Sequence, residues 1–194
     1  MDDHNKNILE KIRIHASLHN FRARLKCRPL YAVNIVIQED KLQVCRSRRY
    51  RKPNNKRAKR ELQNAGGTIE ENETPAMAGL RELKEETWND LPESVKEEYT
   101  FPPLLHTQKI YFGGETVIFI HKVPSDHKLY EGAIPYPETQ TDGGGEIEHI
   151  QLIPIKEVYD SLSTGYDGVK WRRCSVWSLK RLKYLLDLYT QIKA

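Results

Sequence analysis

The sequence predicts an α/β domain in which strands and helices intermix. Three observations carry that expectation. Short runs rich in β-branched and aromatic residues, such as LYAVNIVI (30–37) and TVIFIH (116–121), read as strands. Longer stretches repeat their apolar residues at helical spacing, most clearly between 171 and 192. The length of 194 residues suits a single domain, 1–194, with a helical extension over 1–25 and a C-terminal helix over 170–194.

Ile8, Leu9, Ile12 and Ala16 fall on one helical face between about Asn5 and Phe21, which predicts an accessory helix packed on the domain or on a second copy. Leu30–Ile37 and Lys41–Arg46 flank Gln38-Glu39-Asp40 as a hairpin. Thr68 to Glu70 reads as a short edge strand. Thr74-Pro75 starts a helix, because threonine caps well and proline suits the first helical position; the helix is expected to reach about Thr87. Gly79 inside it costs about 1 kcal/mol relative to alanine, which close packing against that face would explain.

After a charged connector, Ile110–Phe112 and Thr116–His121 form a second hairpin around Gly113-Gly114. Pro124 to Gly145 reads as a long mobile loop. Ile150–Ile155 is expected to be a strand, followed by a short helix from Lys156. Alternation would put Glu146 and Glu148 on the same side of an extended backbone. Leu182, Leu185, Leu186 and Tyr189 then mark the buried face of the last helix.

Composition narrows the function. No run of about 18 apolar residues exists, so no membrane partner is expected. The N-terminus lacks the apolar core and cleavage site of a secretory signal, and the cytoplasm is the expected compartment. Cys27, Cys45 and Cys174 show no CxxC spacing, so neither a disulfide framework nor a zinc site is indicated. The net charge of +4 hides an uneven distribution: nine bases and no acid lie between Arg46 and Arg60. Arg46, Arg48, Arg49 and Arg51 are candidates for holding substrate phosphates, while a solvated linker or a nuclear-localisation patch has the same composition.

The chemistry centres on GGTIEENETPAMAGLRELKEETWN, residues 66–89. On a helix turning about 100° per residue, Glu82, Glu85 and Glu86 fall at roughly 0°, 300° and 40°. Like charges so close repel, and a hard, oxygen-preferring divalent cation would relieve them. There is no P-loop and no Ser-His-Asp order worth proposing. The histidines, among them His106, His121 and His149, read as surface or packed residues.

Gly67, five residues, Glu73, seven residues and then Arg81-Glu82-Leu83-Lys84-Glu85-Glu86 resemble the Nudix box. The resemblance implies a Nudix-type α/β/α sandwich with a mixed central sheet. It also implies a Mg2+-dependent hydrolase, with Mn2+ as a substitute, that cleaves a nucleoside diphosphate linked to another group by water attack at phosphorus. By that similarity the Gly66 carbonyl, Glu82, Glu85 and Glu86 surround the metal. Arg81 pairs with Glu73 as structural support, and a further acid from a later loop acts as base or ligand, with Glu146 ahead of Glu148 and Glu115.

Trp88 stands where the box has glycine, so the helix is expected to leave through Asn89, which tolerates a left-handed conformation. The expected partner is a small phosphorylated substrate, a nucleotide. Capped RNA or an inositol pyrophosphate held by the 46–60 tract is the alternative, and a non-catalytic nucleotide sensor is a third reading. The apolar faces of the end helices leave room for a homodimer.

Overall fold

The structure, a computed structural model, describes residues 3–23, 30–48, 60–112, 115–135 and 146–192; side chains at 19–23 and 111–112 are not described. In chain order the elements are α1 (Asp3–Ala23), β1 (Tyr31–Gln38), β2 (Lys41–Ser47), β3 (Glu61–Gln63), β4 (Gly66–Thr68) and α2 (Pro75–Lys84). A π-helical turn (Glu85–Asn89) continues α2. There follow α3 (Glu93–Glu98), β5 (Leu105–Phe112), β6 (Thr116–Val123), β7 (Gly132–Ala133), β8 (Ile147–Pro154), α4 (Ile155–Ser161), β9 (Lys170–Trp171) and α5 (Arg173–Thr190). Among the described residues no helix is long and apolar enough to cross a membrane.

The strands form one mixed sheet with the order β5-β6-β1-β2-β3-β9; β4 pairs with β1, and β8 lies on the other edge of β2. β1 runs parallel to β6 along its whole length and antiparallel to β2. Alternation along β1 sends Ile35 and Ile37 to one face and Val36 to the other, and all three are buried. Both faces are therefore covered, which is why this strand reads as a continuous apolar run. On one side α1, α4 and α5 close the core with Ile8, Ile12, Val158, Leu182, Leu186 and Tyr189. On the other, Leu83 of α2 meets Val36, Cys45 and Ile150, and Trp88 and Phe101 pack at the margin.

β1 and β2 pair only beside their turn, at Ile37↔Leu42 and Gln38↔Lys41, and then part. The 61–68 segment fills the gap. β3 pairs with β2 through Cys45↔Gln63, β4 pairs with β1 through Val33↔Gly66, and Asn34 N–H donates to Ala65 O at 2.7 Å between them. This wedge puts Gln63 and Gly66 in the middle of the sheet, opposite α2. Gly79 allows the approach of that helix, since a Cβ there would stand 2.9 Å from Phe119 Cδ2. Asn34 Nδ2 also donates to Gly79 O at 2.8 Å.

Several expectations change in the structure. The charged connector contains α3, and the 61–63 and 170–171 strands have no clear signal in so few residues. Part of the long loop is ordered: Leu129 and Ile134 are buried, Gly132 and Ala133 pair with β8, and residues 136–145 lie outside the described set. β8 begins at Ile147, three residues earlier than expected.

The helix exit also differs. Neither Trp88 nor Asn89 has a positive φ. The chain instead widens into the π turn, Thr87 Oγ1 donates to Leu83 O at 2.5 Å, and Leu91 N–H closes onto Trp88 O at 3.1 Å. A widened turn redirects the chain without a left-handed residue, so no glycine is needed. Trp88 is free to pack, and it meets Phe101 edge-on with ring centroids 6.2 Å apart.

Candidate active site

Thr74 caps α2 as expected, its side chain accepting from Met77 N at 3.2 Å, with Pro75 in the first turn. One turn on, Arg81 spans the site. Its Nε and Nη2 each lie 3.0 Å from an oxygen of Glu73, a bidentate pair, and Nη2 also donates to Thr68 O at 2.9 Å. The guanidinium holds the Glu73 carboxyl below its ordinary range. The box loop is thereby tied to the helix. The same guanidinium reaches further than expected: Nη1 donates to Glu82 Oε1 at 2.8 Å and to Glu85 Oε2 at 3.1 Å.

Glu86 differs from its neighbours by being buried, with 8% of its surface exposed. Oε2 accepts from Gly66 N–H at 2.8 Å and Oε1 from Gln63 Nε2 at 3.0 Å. Burial pushes its carboxyl up to about 8; the Gly66 hydrogen bond opposes that shift, and the fields of Glu82 and Glu146 add to it. Glu82 is raised too, by desolvation first, against the pull of Arg81. Gly67 makes room for Glu82: a Cβ on Gly67 would lie 2.3 Å from Glu82 Oε1.

Glu146 joins this cluster and Glu148 does not. β2 and β8 pair Arg46 with His149 and Ser47 with Ile147, so Glu148 is the extra residue of a β-bulge. The bulge breaks the alternation expected of Glu146 and Glu148. Glu146 acts on Glu82 and Glu86 through its charge, whereas Glu148 lies 2.9 Å from Arg46 Nε and 2.6 Å from Arg60 Nε. Glu115 sits apart at its turn, its carbonyl accepting from Leu30 and Tyr31 N–H.

The basic tract is also partly committed. Arg46 pairs with Glu148, and Arg48 Nη2 donates to Ile134 O at 2.7 Å and Ile147 O at 3.2 Å. Arg49 and Arg51 lie outside the described residues.

Two participants were not singled out from sequence. Gln63 and Arg172 are joined by a 2.7 Å hydrogen bond from Arg172 Nη1 to Gln63 Oε1, across 109 positions of chain. His121, read as surface or packed, is buried, with Nε2 3.0 Å from Asn34 Oδ1 and Nδ1 3.0 Å from Thr107 Oγ1. Burial lowers its pKa to about 4. Asn34 gives both amide hydrogens to Gly79 and Ala65 carbonyls, so its oxygen accepts from a neutral Nε2–H imidazole. Only an amide three residues before the glycine pair hints at Gln63. Nothing local marks Arg172.

The donors are carboxylates and backbone carbonyls, the chemistry of a magnesium or manganese site. A buried carboxyl pushed to about 8 among like charges is an arrangement that a cation relieves. Among the described residues no three acids yet converge into a metal cage. Arg81 Nη1 instead donates to oxygens of both Glu82 and Glu85.

A mixed sheet between helices, with an acid-bearing helix laid against a diglycine strand, defines an α/β/α sandwich. The chain belongs to the Nudix family, whose domain model matches residues 28–171. It is similar in fold to a Nudix-family hydrolase from Clostridium perfringens, at 14% identity and TM-score 0.41, covering 80% of this chain and 96% of that one. A pyrophosphohydrolase from Bacillus subtilis is similar at 19% identity and TM-score 0.45, covering 81% and 82%. The dihydroneopterin triphosphate pyrophosphohydrolase of E. coli is similar at 15% identity and TM-score 0.41, covering 80% and 95%. No curated protein sequence matches the chain.

Proposed function

We propose that this chain is a magnesium-dependent pyrophosphohydrolase, with manganese as a working substitute. It cleaves a nucleoside diphosphate linked to another group, by attack of water at phosphorus. The observation that supports this most is Glu86, buried, fixed through both oxygens and surrounded by the charges of Glu82 and Glu146. Glu82, Glu85, Glu86 and the Gly66 carbonyl would hold the metal, and Glu146 stands on the open side as the acid that takes or orients the water. A bound divalent ion there supplies charge neutralisation for the phosphates and a lowered pKa for water.

Within that frame Arg81 Nη1 must leave Glu82 and Glu85, while its Nε and Nη2 keep hold of Glu73. The bidentate pair makes this feasible, because it fixes the guanidinium by its other edge. Arg46, of the expected phosphate-binding residues, would need to leave Glu148 before it could contact substrate.

The test is a screen of ADP-ribose, diadenosine tetraphosphate, nucleoside triphosphates and capped RNA with magnesium, each product identified by mass. We expect Glu85→Gln and Glu86→Gln to lower turnover by ~10²-fold or more, an electrostatic loss of about 3 kcal/mol. Wild-type rates in both variants refute the ligand assignment. Turnover restricted to capped RNA replaces the small nucleotide with RNA. Absence of turnover on every compound, with nucleotide binding intact, makes the protein a sensor.

A further inference from the structure

We infer that Arg172, at the entry to α5, is a positioning residue for Glu86 and acts through the side-chain amide of Gln63. The inference rests on the metal-binding role proposed for Glu86. Three groups form an ordered chain: Arg172 Nη1 donates to Gln63 Oε1 at 2.7 Å, and Gln63 Nε2 donates to Glu86 Oε1 at 3.0 Å. Gly66 N–H holds the other Glu86 oxygen at 2.8 Å.

The polarity of the chain follows from the groups themselves. A guanidinium has donors only and an ionised carboxylate acceptors only, so the amide between them has one satisfactory orientation. Turned over, it would set NH₂ against guanidinium and oxygen against carboxylate. Arg172 thus determines that Gln63 presents a donor to Glu86. Gln63 is buried, with 4% of its surface exposed, so water does not readily replace a missing partner.

The anchor of this chain is firm. Arg172 N–H donates to Leu62 O at 2.8 Å, Trp171 pairs with Leu62 in β9, and Arg172 O accepts from Val176 N–H at 3.1 Å in the first turn of α5. Backbone and side chain of Arg172 therefore both follow β3. The C-terminal helix, otherwise a packing element, is tied in this way to the orientation of one buried carboxylate. Among the described residues, the guanidinium of Arg172 makes no other hydrogen bond, and its charge also favours the ionised form of Glu86.

The test is a double-mutant cycle on Mn2+ affinity, measured with the full chain by the free-ion paramagnetic resonance signal. Arg172→Ala and Gln63→Ala should each weaken Mn2+ binding about 10-fold, or about 1.4 kcal/mol. The double variant should lose much less than the sum of the two single losses, because Arg172 acts chiefly through the amide. Arg172→Lys, which restores one donor to Gln63 Oε1, should recover most of the affinity. Should Gln63→Ala not fold, Gln63→Met takes its place in the cycle.

Additive losses, or unchanged affinity in Arg172→Ala, overturn the inference and leave the metal site standing. Failure of the wild-type protein to bind Mn2+ overturns the proposed function itself and the relay with it.

Discussion

Gly66 and Gly67 are neighbours in sequence, yet replacing each by alanine should do opposite things. A Cβ on Gly66 would lie 2.3 Å from Ala32 O and 2.8 Å from Val33 Cα, both backbone atoms in the centre of the sheet. Neither can yield without moving β1 against β4, and we expect a loss of about 3 kcal/mol or more in folding stability. The three atoms nearest a Cβ on Gly67 all belong to the carboxylate of Glu82, at 2.3 to 2.6 Å. That group sits at the end of a flexible side chain and can turn away, so stability should change by less than about 1 kcal/mol. Hydrolysis should suffer instead. A displaced Glu82 would take away one of the proposed metal ligands, and turnover should fall by ~10²-fold, about 3 kcal/mol of transition-state stabilisation. Urea denaturation and product release, measured on both variants, separate the two effects. Full activity in Gly67→Ala, or wild-type stability in Gly66→Ala, refutes the reasoning.

Other expectations concern the supports of the site. His121 is neutral in the folded protein, with its pKa lowered to about 4. Above pH 6.5 the imidazole is neutral in both states. Between pH 6.5 and 4 only the unfolded chain takes up the proton, so stability should fall by about 3 kcal/mol across that window as pH drops. His121→Gln should lack this component in urea titrations between pH 7 and 4.5; identical pH slopes contradict it. Trp88→Gly should cost about 2 kcal/mol, read as a lower thermal midpoint, because the ring packs on Phe101 at the edge of the second core. An unchanged midpoint would mean that the π turn alone sets the helix exit.

How far the sequence could be read depends on the range over which each feature is encoded. α2 and α5 repeat their apolar residues every three or four positions, so a short window contains the whole signal. The pairing of Arg81 with Glu73 is likewise local, because the box holds both residues. Gln63 and Arg172 illustrate the opposite case. Neither residue type is unusual where it stands, and their hydrogen bond exists only because β3 and β9 are brought side by side. The different surroundings of Glu146 and Glu148 turn on a single bulged residue, and alternation assumes that no such residue is inserted. The helix exit failed for a related reason: the glycine rule covers α-helical endings, and this helix ends through a wider turn.

The parting of β1 and β2 has a consequence for how this molecule can change over evolutionary time. The wedge between them is held by main-chain hydrogen bonds, Asn34 N to Ala65 O and Ile69 N to Leu30 O among them, and these are indifferent to side-chain identity. The Gly66 N–H that holds one Glu86 oxygen is set by this main-chain wedge, whereas the other oxygen depends on the Gln63 side chain. Changes of length or charge in the loops at the sheet's rim should therefore leave the Gly66–Glu86 contact in register.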